Sequence, residues 1–229
     1  TGLPTGVTIN SATGLSSGTP TTGSAAGSPY SVTVTATDPR AGSVTQSFTL
    51  NVAAVGTGIT VSGVARYESV PNLRSGNGRL DYTAITAKPI RGATIELVQG
   101  SSASPGAVVA TTQTDASGAY SFTMSSAAQV FVRVRAEYKR TGTTGGSYNF
   151  AVRDNTNGNA MYVLDSASFT PATGVNTRDV TAGSGWGGSS YTGTRAAGPF
   201  SVLDVAYAAT NKVLGASPNA VFQPLNMFW

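Results

Sequence analysis

Five oxygen-bearing side chains lie close together in the segment RDNTNGNAMYVLD, around a glycine turn. Two are carboxylates and three are amides: Asp154, Asn155, Asn157, Asn159 and Asp165. Such oxygens are the ligands that Ca²⁺ takes in proteins, so the segment is a candidate calcium site. Calcium sites usually gather more than two carboxylates, and an asparagine-rich hairpin turn is the alternative interpretation. Asp38, in TATDPRAG, poses the same choice between a cation ligand and a carboxylate that caps its own turn.

Three aromatic side chains in glycine-rich segments are candidates for stacking on a sugar ring. They are Trp186, Tyr191 and Tyr148. An aromatic ring offers a large apolar face with a polar edge, which suits a carbohydrate-binding surface. The alternative is that these rings fasten their loops to the protein's own sheets.

The residues that most hydrolases need are missing from the sequence. There is no histidine and no cysteine, which excludes HExxH zinc chemistry, histidine-assisted serine catalysis and cysteine nucleophiles. The acidic residues fall singly, whereas a glycosidase needs two facing carboxylates. A serine–lysine pair would need Lys88, Lys139 or Lys212 to be buried and neutral, and a solvated lysine is the ordinary state. The sequence therefore predicts a protein that is not an enzyme and has no cofactor other than the candidate calcium ion.

Composition and charge limit the classes of binding partner that we expect for this chain. Only 10% of residues are charged, the formal net charge is +4, and 28 of the 229 residues are glycine. No basic block with interleaved aromatic residues is present, so no nucleic-acid partner is expected. No apolar run reaches the ~20 residues that span a bilayer, so no membrane insertion is expected. The mixture is typical of exported, loop-rich β proteins, and we expect a secreted or extracellular protein of the cell surface.

Two strands near the start of the chain show strict alternation. YSVTVTAT and SVTQSFTLNV each place apolar residues on one face and hydroxyl or amide residues on the other, with DPRAGS as a turn between them. This pattern predicts a hairpin with one face in a core. The residues expected to face inward are Tyr30, Val32, Val34, Ala36, Val44, Phe48, Leu50 and Val52.

The same region resembles the bacterial immunoglobulin-like (cadherin-like) domain family. The match is carried by GLPTGVTINSATGLSSGTPTT and YSVTVTATDPRAGSVTQSFTLNV, within residues 3–52. The resemblance implies a β-sandwich module that serves as a spacer or adhesive domain on surface proteins. It also implies further strands before the GLP turn, so residues 1–57 are expected to form an incomplete sandwich.

After the small-residue linker AAVGTG at 53–58, a second β unit is predicted for residues 58–169. ITVSGVARYE, ATIELVQ and QVFVRVRAEYKR alternate as strands, the last with a core face and a charged face. TDASGAYSF at 114–122 resembles the turn of carboxypeptidase regulatory-like, transthyretin-like sandwiches. In this turn we expect the Asp115 carboxylate to cap the turn by accepting backbone hydrogen bonds, and Gly118 to take positive φ. We expect Tyr120 and Phe122 to enter the core.

Residues 170–229 are predicted to form a glycine-rich surface loop and one helix. The loop covers 170–199, and the helix begins near Pro199 and ends at Gly215. Its apolar side holds Phe200, Leu203, Tyr207 and Leu214. NFAVRDNTNGNAMYVLDSASF and GTRAAGPFSVLDVAYAATNKVLGASPNAVFQPLNMFW resemble the segment that precedes the metallopeptidase-like domain of large secreted bacterial proteins.

The leading hypothesis is an all-β chain of tandem immunoglobulin-like β-sandwiches with one C-terminal α-helix, acting as a non-catalytic structural or adhesive region. Its partners would be other protein chains, including copies of itself, because an incomplete sandwich leaves an open edge to which a strand can add. Head-to-tail repetition would give a fibre. The alternatives are an accessory region of a metallopeptidase-like exoenzyme and a carbohydrate-binding module.

Overall fold

A computed structural model describes residues 1–38, 40, 42–52, 58–73, 78–142 and 144–229. The chain divides into two compact units, Thr1–Thr57 and Gly58–Trp229. The linker predicted at 53–58 lies, apart from Gly58, outside the described residues. In its described part the chain is all-β with one α-helix near its C-terminal end, as predicted.

The first unit consists of two small antiparallel sheets. One pairs β1 with β2 and the other pairs β3 with β4 in continuous register from Tyr30 opposite Leu50 to Asp38 opposite Gly42. A short 3₁₀ helix, Ser24–Gly27, precedes β3. The strand bounds are β1 Val7–Ile9, β2 Ser16–Gly18, β3 Tyr30–Asp38 and β4 Gly42–Leu50.

The two predicted strands of this unit are confirmed, but the burial expected for their apolar face is wrong for most of it. Val32 is buried at 1% exposure, whereas Val44 is 75% and Phe48 47% exposed, and Ala36 is exposed too. A sheet of two strands buries a face only when another layer covers it. The opposite face carries cross-strand hydroxyl pairs, such as Thr33 with Ser47 at 3.0 Å.

The second unit is built from two larger sheets. One has the strand order β12-β11-β10-β7-β8, with β13 paired to β10 and β16 paired to β11. In the other, β5 pairs antiparallel with β6 and β9 and parallel with β14 and β15. The strand bounds are β5 Ile59–Ser69, β6 Thr86–Pro89, β7 Ala93–Ser101, β8 Ser104–Gln113, β9 Ala119–Met124, β10 Val130–Arg140, β11 Tyr148–Asp154, β12 Ala160–Met161, β13 Val163–Asp165, β14 Gly174–Thr177, β15 Val180–Ala182 and β16 Leu225–Phe228.

The core of this unit lies between the sheets and is made by alternating residues of their long strands. Val61 and Ala65 from β5 belong to the same fully buried cluster as Ile95 from β7 and Val132 from β10. Phe131 is also fully buried, so the face of β10 predicted to be charged is partly apolar. This two-layer packing fits the sandwich predicted from the alternation.

The turn at 114–122 has the geometry that its sequence predicts. Gly118 has a φ of 79°, and the Asp115 carboxylate accepts hydrogen bonds from the backbone amides of Ser117 and Ala119 at 2.8 and 2.9 Å. Tyr120 and Phe122 are 5% and 4% exposed. The Asp115 carboxylate therefore stabilises the turn that leads from β8 into β9.

The segment 170–199 is not the continuous loop that its glycine content predicts, because it contains β14 and β15. Both strands pair parallel with β5, and the Asp179 carboxylate between them accepts a hydrogen bond from the Val64 amide at 2.8 Å. These strands are short and lack a clear alternation of their own. Pairing with a long neighbouring strand, a tertiary effect, defines them.

The predicted helix is present as α1, Ala197–Ala216, with Pro199 in its first turn and Gly215 one residue before its end. Phe200 and Leu203 are buried, and α1 packs against β5, β10 and β11 and so against both sheets. No helix in the described part of the chain is long and apolar enough to cross a membrane.

A polar clamp fastens α1 to the sheets. The Tyr67 hydroxyl donates to one Asp204 oxygen at 3.0 Å, and the Arg91 guanidinium donates to the other at 2.6 Å. Burial, and next the nearby Asp204 carboxylate, raise the pKa of the Tyr67 hydroxyl to about 12. Because the pKa of an exposed tyrosine is about 10, the folded chain holds this proton more tightly than the unfolded chain does.

We therefore expect the second unit to lose stability as the pH rises from about 10 to about 12, where the unfolded chain ionises first. Burial also raises the pKa values of Tyr120 and Tyr138. Replacing Tyr67→Phe should reduce the slope of unfolding free energy against pH in this range by up to about 1.4 kcal/mol per pH unit. Urea unfolding at several pH values measures this slope, and an unchanged slope would contradict the assignment.

Candidate functional site

The apolar side of the β3–β4 sheet is the most exposed hydrophobic surface of the first unit. We call it the open face, and its residues are Tyr30, Val32, Val34, Ala36, Val44, Gln46, Phe48 and Leu50, of which Gln46 is the one with a polar amide side chain. A cavity of about 530 Å³ adjoins its β3 side, and one of about 430 Å³ adjoins Phe48 and Leu50 on its β4 side. Leu3 lines both cavities. Leu3, Val7, Ile9 and Pro20 line the other sides of these cavities, so residues 1–20 cover the open face only in part, and Val44 and Phe48 stay exposed. A partly covered apolar surface of this kind indicates a site for another protein segment.

The outer edge of β4 is open in the described structure. Among the described residues β4 pairs only with β3, so its second row of backbone amides and carbonyls has no strand beside it. On the other edge of the hairpin, the Thr1 amino group and carbonyl bond to the Thr33 backbone at 2.7 and 3.0 Å. β4, with the sequence GSVTQSFTL, carries no charged side chain. Natural proteins usually protect an edge with charge, proline or a bulge, and β4 has neither charge nor proline.

A second exposed edge lies in the second unit, at β8. This ten-residue strand ends the order of its sheet, and Val108 and Val109 are 50% and 46% exposed. Its first half contains Pro105, and its pairing with β7 shifts register twice between Pro105 and Ala110, with Val109 as an extra residue. Its second half, VVATTQ, has neither proline nor charge. Regular pairing covers Ala110–Gln113, so residues 110–113 are the regular part of this edge and carry neither proline nor charge.

The segment predicted to bind calcium folds as the turn between β11 and β12. The Asp154 carboxylate accepts bonds from the Thr156 hydroxyl and amide at 2.6 and 2.9 Å, and these bonds lower its pKa. Asp165 lies in β13, where one oxygen accepts from Arg133 at 2.8 Å and the other from Ser102 at 2.7 Å. Burial alone would raise the pKa of Asp165, but the bonds from Arg133 and Ser102 outweigh it and lower the value.

The predicted ligand set is thus not assembled as expected, because Asp165 uses both oxygens in an ion pair and a hydroxyl bond. Asn155, Asn157 and Asn159 are exposed turn residues. Across the residues that the structure describes, no three acidic, histidine or cysteine side chains gather as a metal site would require. Asp38 caps its own turn, since its carboxylate accepts from the Arg40 amide at 2.8 Å.

The three aromatic candidates do not share one surface. Tyr148 is the first residue of β11, is 7% exposed, and packs 4.3 Å from the Tyr138 ring, so its prediction as a sugar-stacking residue is wrong. Trp186 and Tyr191 lie together, with ring centroids 5.4 Å apart. Both also contact Tyr82, which stacks on Trp186 at 4.0 Å and shares a 2.9 Å hydroxyl bond with Tyr191. Sequence analysis missed Tyr82, more than 100 residues away along the chain.

The lysines considered for catalysis are all exposed. Lys139 forms an ion pair with Glu137 at 2.9 Å, and Lys88 and Lys212 lie at the surface of β6 and α1. None of the three is buried beside a serine, as the serine–lysine mechanism requires. The surroundings of these three lysines therefore do not have the geometry of a serine–lysine catalytic pair.

The architecture defines the chain as an all-β protein with one α-helix, whose first unit carries a partly covered apolar sheet face. Residues 1–53 match the family model described as "Putative Ig domain", which supports an immunoglobulin-like domain in this segment. A search of curated proteins finds no match to the chain. The resemblance of 59–140 to transthyretin-like sandwiches, and of the later segments to the region before a metallopeptidase-like domain, stay predictions.

Proposed function

We propose that this chain is a non-catalytic structural or adhesive region of a secreted or surface protein of bacteria, and that its copies join by strand addition. The observation that carries the proposal is the open face, on which Val44 and Phe48 are largely exposed beside an unpaired strand edge. A strand added at β4 would complete the hydrogen bonding of that edge. Side chains of that strand on the apolar side would lie next to Phe48 and Val44 and remove part of their surface from water.

The donor that the chain itself offers is the β8 edge of a second copy. β4 and β8 are nine and ten residues long, so a paired edge of normal strand length can form between them. Neither strand carries a charge that would oppose pairing. Val108 and Val109 are both exposed on β8, so the donor strand brings apolar side chains to the contact.

This contact joins two different patches, one on the first unit of one copy and one on the second unit of the next. Such a heterologous contact leaves each copy with one free donor and one free acceptor. Repetition gives an open chain of copies unless the rotation between neighbours closes a ring. The proposed mechanism is therefore linear display and adhesion, with each copy acting as one segment of a fibre.

A charge placed on the open face should block the association. We expect Val44→Lys to weaken self-association by at least about tenfold, or about 1.4 kcal/mol, because pairing would bury the new ammonium group. Val205→Lys is the matched control, since Val205 is also a valine, is 68% exposed, and belongs to α1 and to neither edge strand. Sedimentation velocity of the whole chain across a concentration series gives the association constants.

Two results would contradict the proposal. One is a wild-type chain that stays monomeric at the highest concentration, and the other is equal weakening by both substitutions. Thermal unfolding of both variants verifies that the added charge has not unfolded either unit.

A further inference from the structure

A cavity of about 250 Å³ lies in the second unit between the end of β5, the first turn of α1 and the last residue of the chain. Two aromatic side chains and a leucine give it apolar walls: Tyr191, Trp229 and Leu80, exposed by 39%, 45% and 40%. Its polar groups include Glu68, Arg195 and Ser201. Apolar walls with a few convergent polar groups are typical of a small-ligand site.

The charges in this cavity favour a neutral ligand. The hydrogen bonds from the Ser184 hydroxyl and amide, both 2.7 Å long, lower the pKa of Glu68 and keep it ionised. The Arg195 guanidinium is always charged. Among the ion pairs of the described residues neither Glu68 nor Arg195 takes part. An anion would meet the carboxylate and a cation would meet the guanidinium, so neither is favoured.

The two charged groups together select a ligand that both donates and accepts hydrogen bonds. A carboxylate only accepts and a guanidinium only donates, whereas a hydroxyl does both. A sugar ring has hydroxyl groups around its edge and C–H groups on its faces, which suit the Tyr191 and Trp229 rings. The cavity is smaller than those that hold drug-sized ligands, so one sugar ring fits it better than an oligosaccharide does.

Contacts behind the cavity hold its walls in place. Trp186 and Tyr82 pack against Tyr191, as described above, which gives Trp186 a positioning role. The Trp229 ring lies on Gly198, where even a Cβ atom would overlap it, and the Trp229 carbonyl accepts from the Tyr162 hydroxyl at 2.9 Å. A site whose walls are already fixed loses little entropy when it binds.

We propose that this cavity binds a single neutral pyranose ring, such as a terminal residue of a surface glycan. The Arg195 guanidinium lies over the Tyr191 ring at 4.6 Å and over the Trp229 ring at 5.5 Å from the centroids. The sugar would lie beside this guanidinium, against the exposed parts of Tyr191 and Trp229, with its hydroxyl groups donating to Glu68 and accepting from Arg195. The site lies within the second unit, so its test does not depend on strand addition at the first unit.

Saturation-transfer difference NMR tests the site with the methyl pyranosides of glucose, galactose, mannose and N-acetylglucosamine. We expect at least one to bind with a Kd of roughly millimolar strength, as suits a single ring. Trp229→Ala and Glu68→Gln should each weaken binding by about tenfold or more. Phe228→Ala is the control, because Phe228 is 53% exposed, adjoins Trp229 and does not line the cavity.

Glu68→Gln keeps the size of the side chain and changes its charge, so the test does not depend on Trp229→Ala folding. Acetate and methylammonium serve as charged probes of the same cavity. The proposal is overturned if none of the four sugars binds, if Glu68→Gln binds them as the wild type does, or if a charged probe binds more tightly than every sugar.

Discussion

Replacing Phe200→Ala is expected to lower the free energy of unfolding of the second unit by about 3–5 kcal/mol. Phe200 is 1% exposed and belongs to a core cluster that includes Tyr67 and Ala182 from one sheet and Val152 from the other. Removing its ring leaves a cavity where α1 meets both sheets. Alanine is the best helix former, so any loss of stability measures packing and not helix propensity.

Val205→Ala provides the control for this prediction. It makes a substitution to alanine on the same helix at a residue that is 68% exposed, and should change stability by less than about 0.5 kcal/mol. Both tryptophans of the chain, Trp186 and Trp229, lie in the second unit, so their fluorescence during urea unfolding reports this unit alone. A loss below about 1 kcal/mol for Phe200→Ala, or equal losses for both variants, would contradict the account of how α1 is held.

The parts of the fold that the sequence predicts correctly are those that depend on neighbours along the chain. The alternation of apolar and polar residues with a period of two identifies β3 and β4, because the side of the sheet that a residue faces follows from its position in the strand. The turn containing Gly118 is predicted because Asp115 and a glycine at this spacing satisfy a turn locally. Whether Gly118 has room for a side chain depends on the Ala65 carbonyl, which lies on another strand.

The parts that the sequence predicts wrongly depend on what lies across the fold. Val44 has the pattern of a core residue and is 75% exposed, since burial requires a covering layer that alternation alone does not supply. β14 and β15 are read as loop because their parallel pairing to β5 joins residues more than 100 positions apart. Local sequence carries no signal for such a pairing.

The candidate sites show the same difference between features set by neighbours along the chain and features set by distant residues. Trp186 and Tyr191 are five residues apart and do lie together, whereas Tyr148 has a similar glycine-rich context and is buried in the core. Asp165 looks like a free carboxylate in the sequence, but Arg133 on the neighbouring strand neutralises it. The cavity that ends at Trp229 joins residues from three distant parts of the chain, 68–80, 184–202 and 229, so no motif could have identified it.

The exposed valine and phenylalanine of the open face acquire a physical role if copies of the chain pair through β4 and β8. Site-specific cross-linking can detect this pairing without background, because the chain has no native cysteine. Thr45→Cys places a thiol on β4 and Thr111→Cys places one on β8, each at an exposed residue. Val205→Cys on α1 provides a control position with similar exposure.

The most direct test mixes the Thr45→Cys and Thr111→Cys chains and treats them with a short bismaleimide cross-linker. A flexible cross-linker is chosen because a disulfide forms only between Cα atoms within about 7 Å, which would require knowing the register in advance. Strand addition predicts a mixed Thr45→Cys/Thr111→Cys dimer as the main product, a ladder of products when one chain carries both cysteines, and loss of both with Val44→Lys. A mixed product no more abundant than that of Thr45→Cys with Val205→Cys, or a product between two Thr45→Cys chains alone, would contradict it.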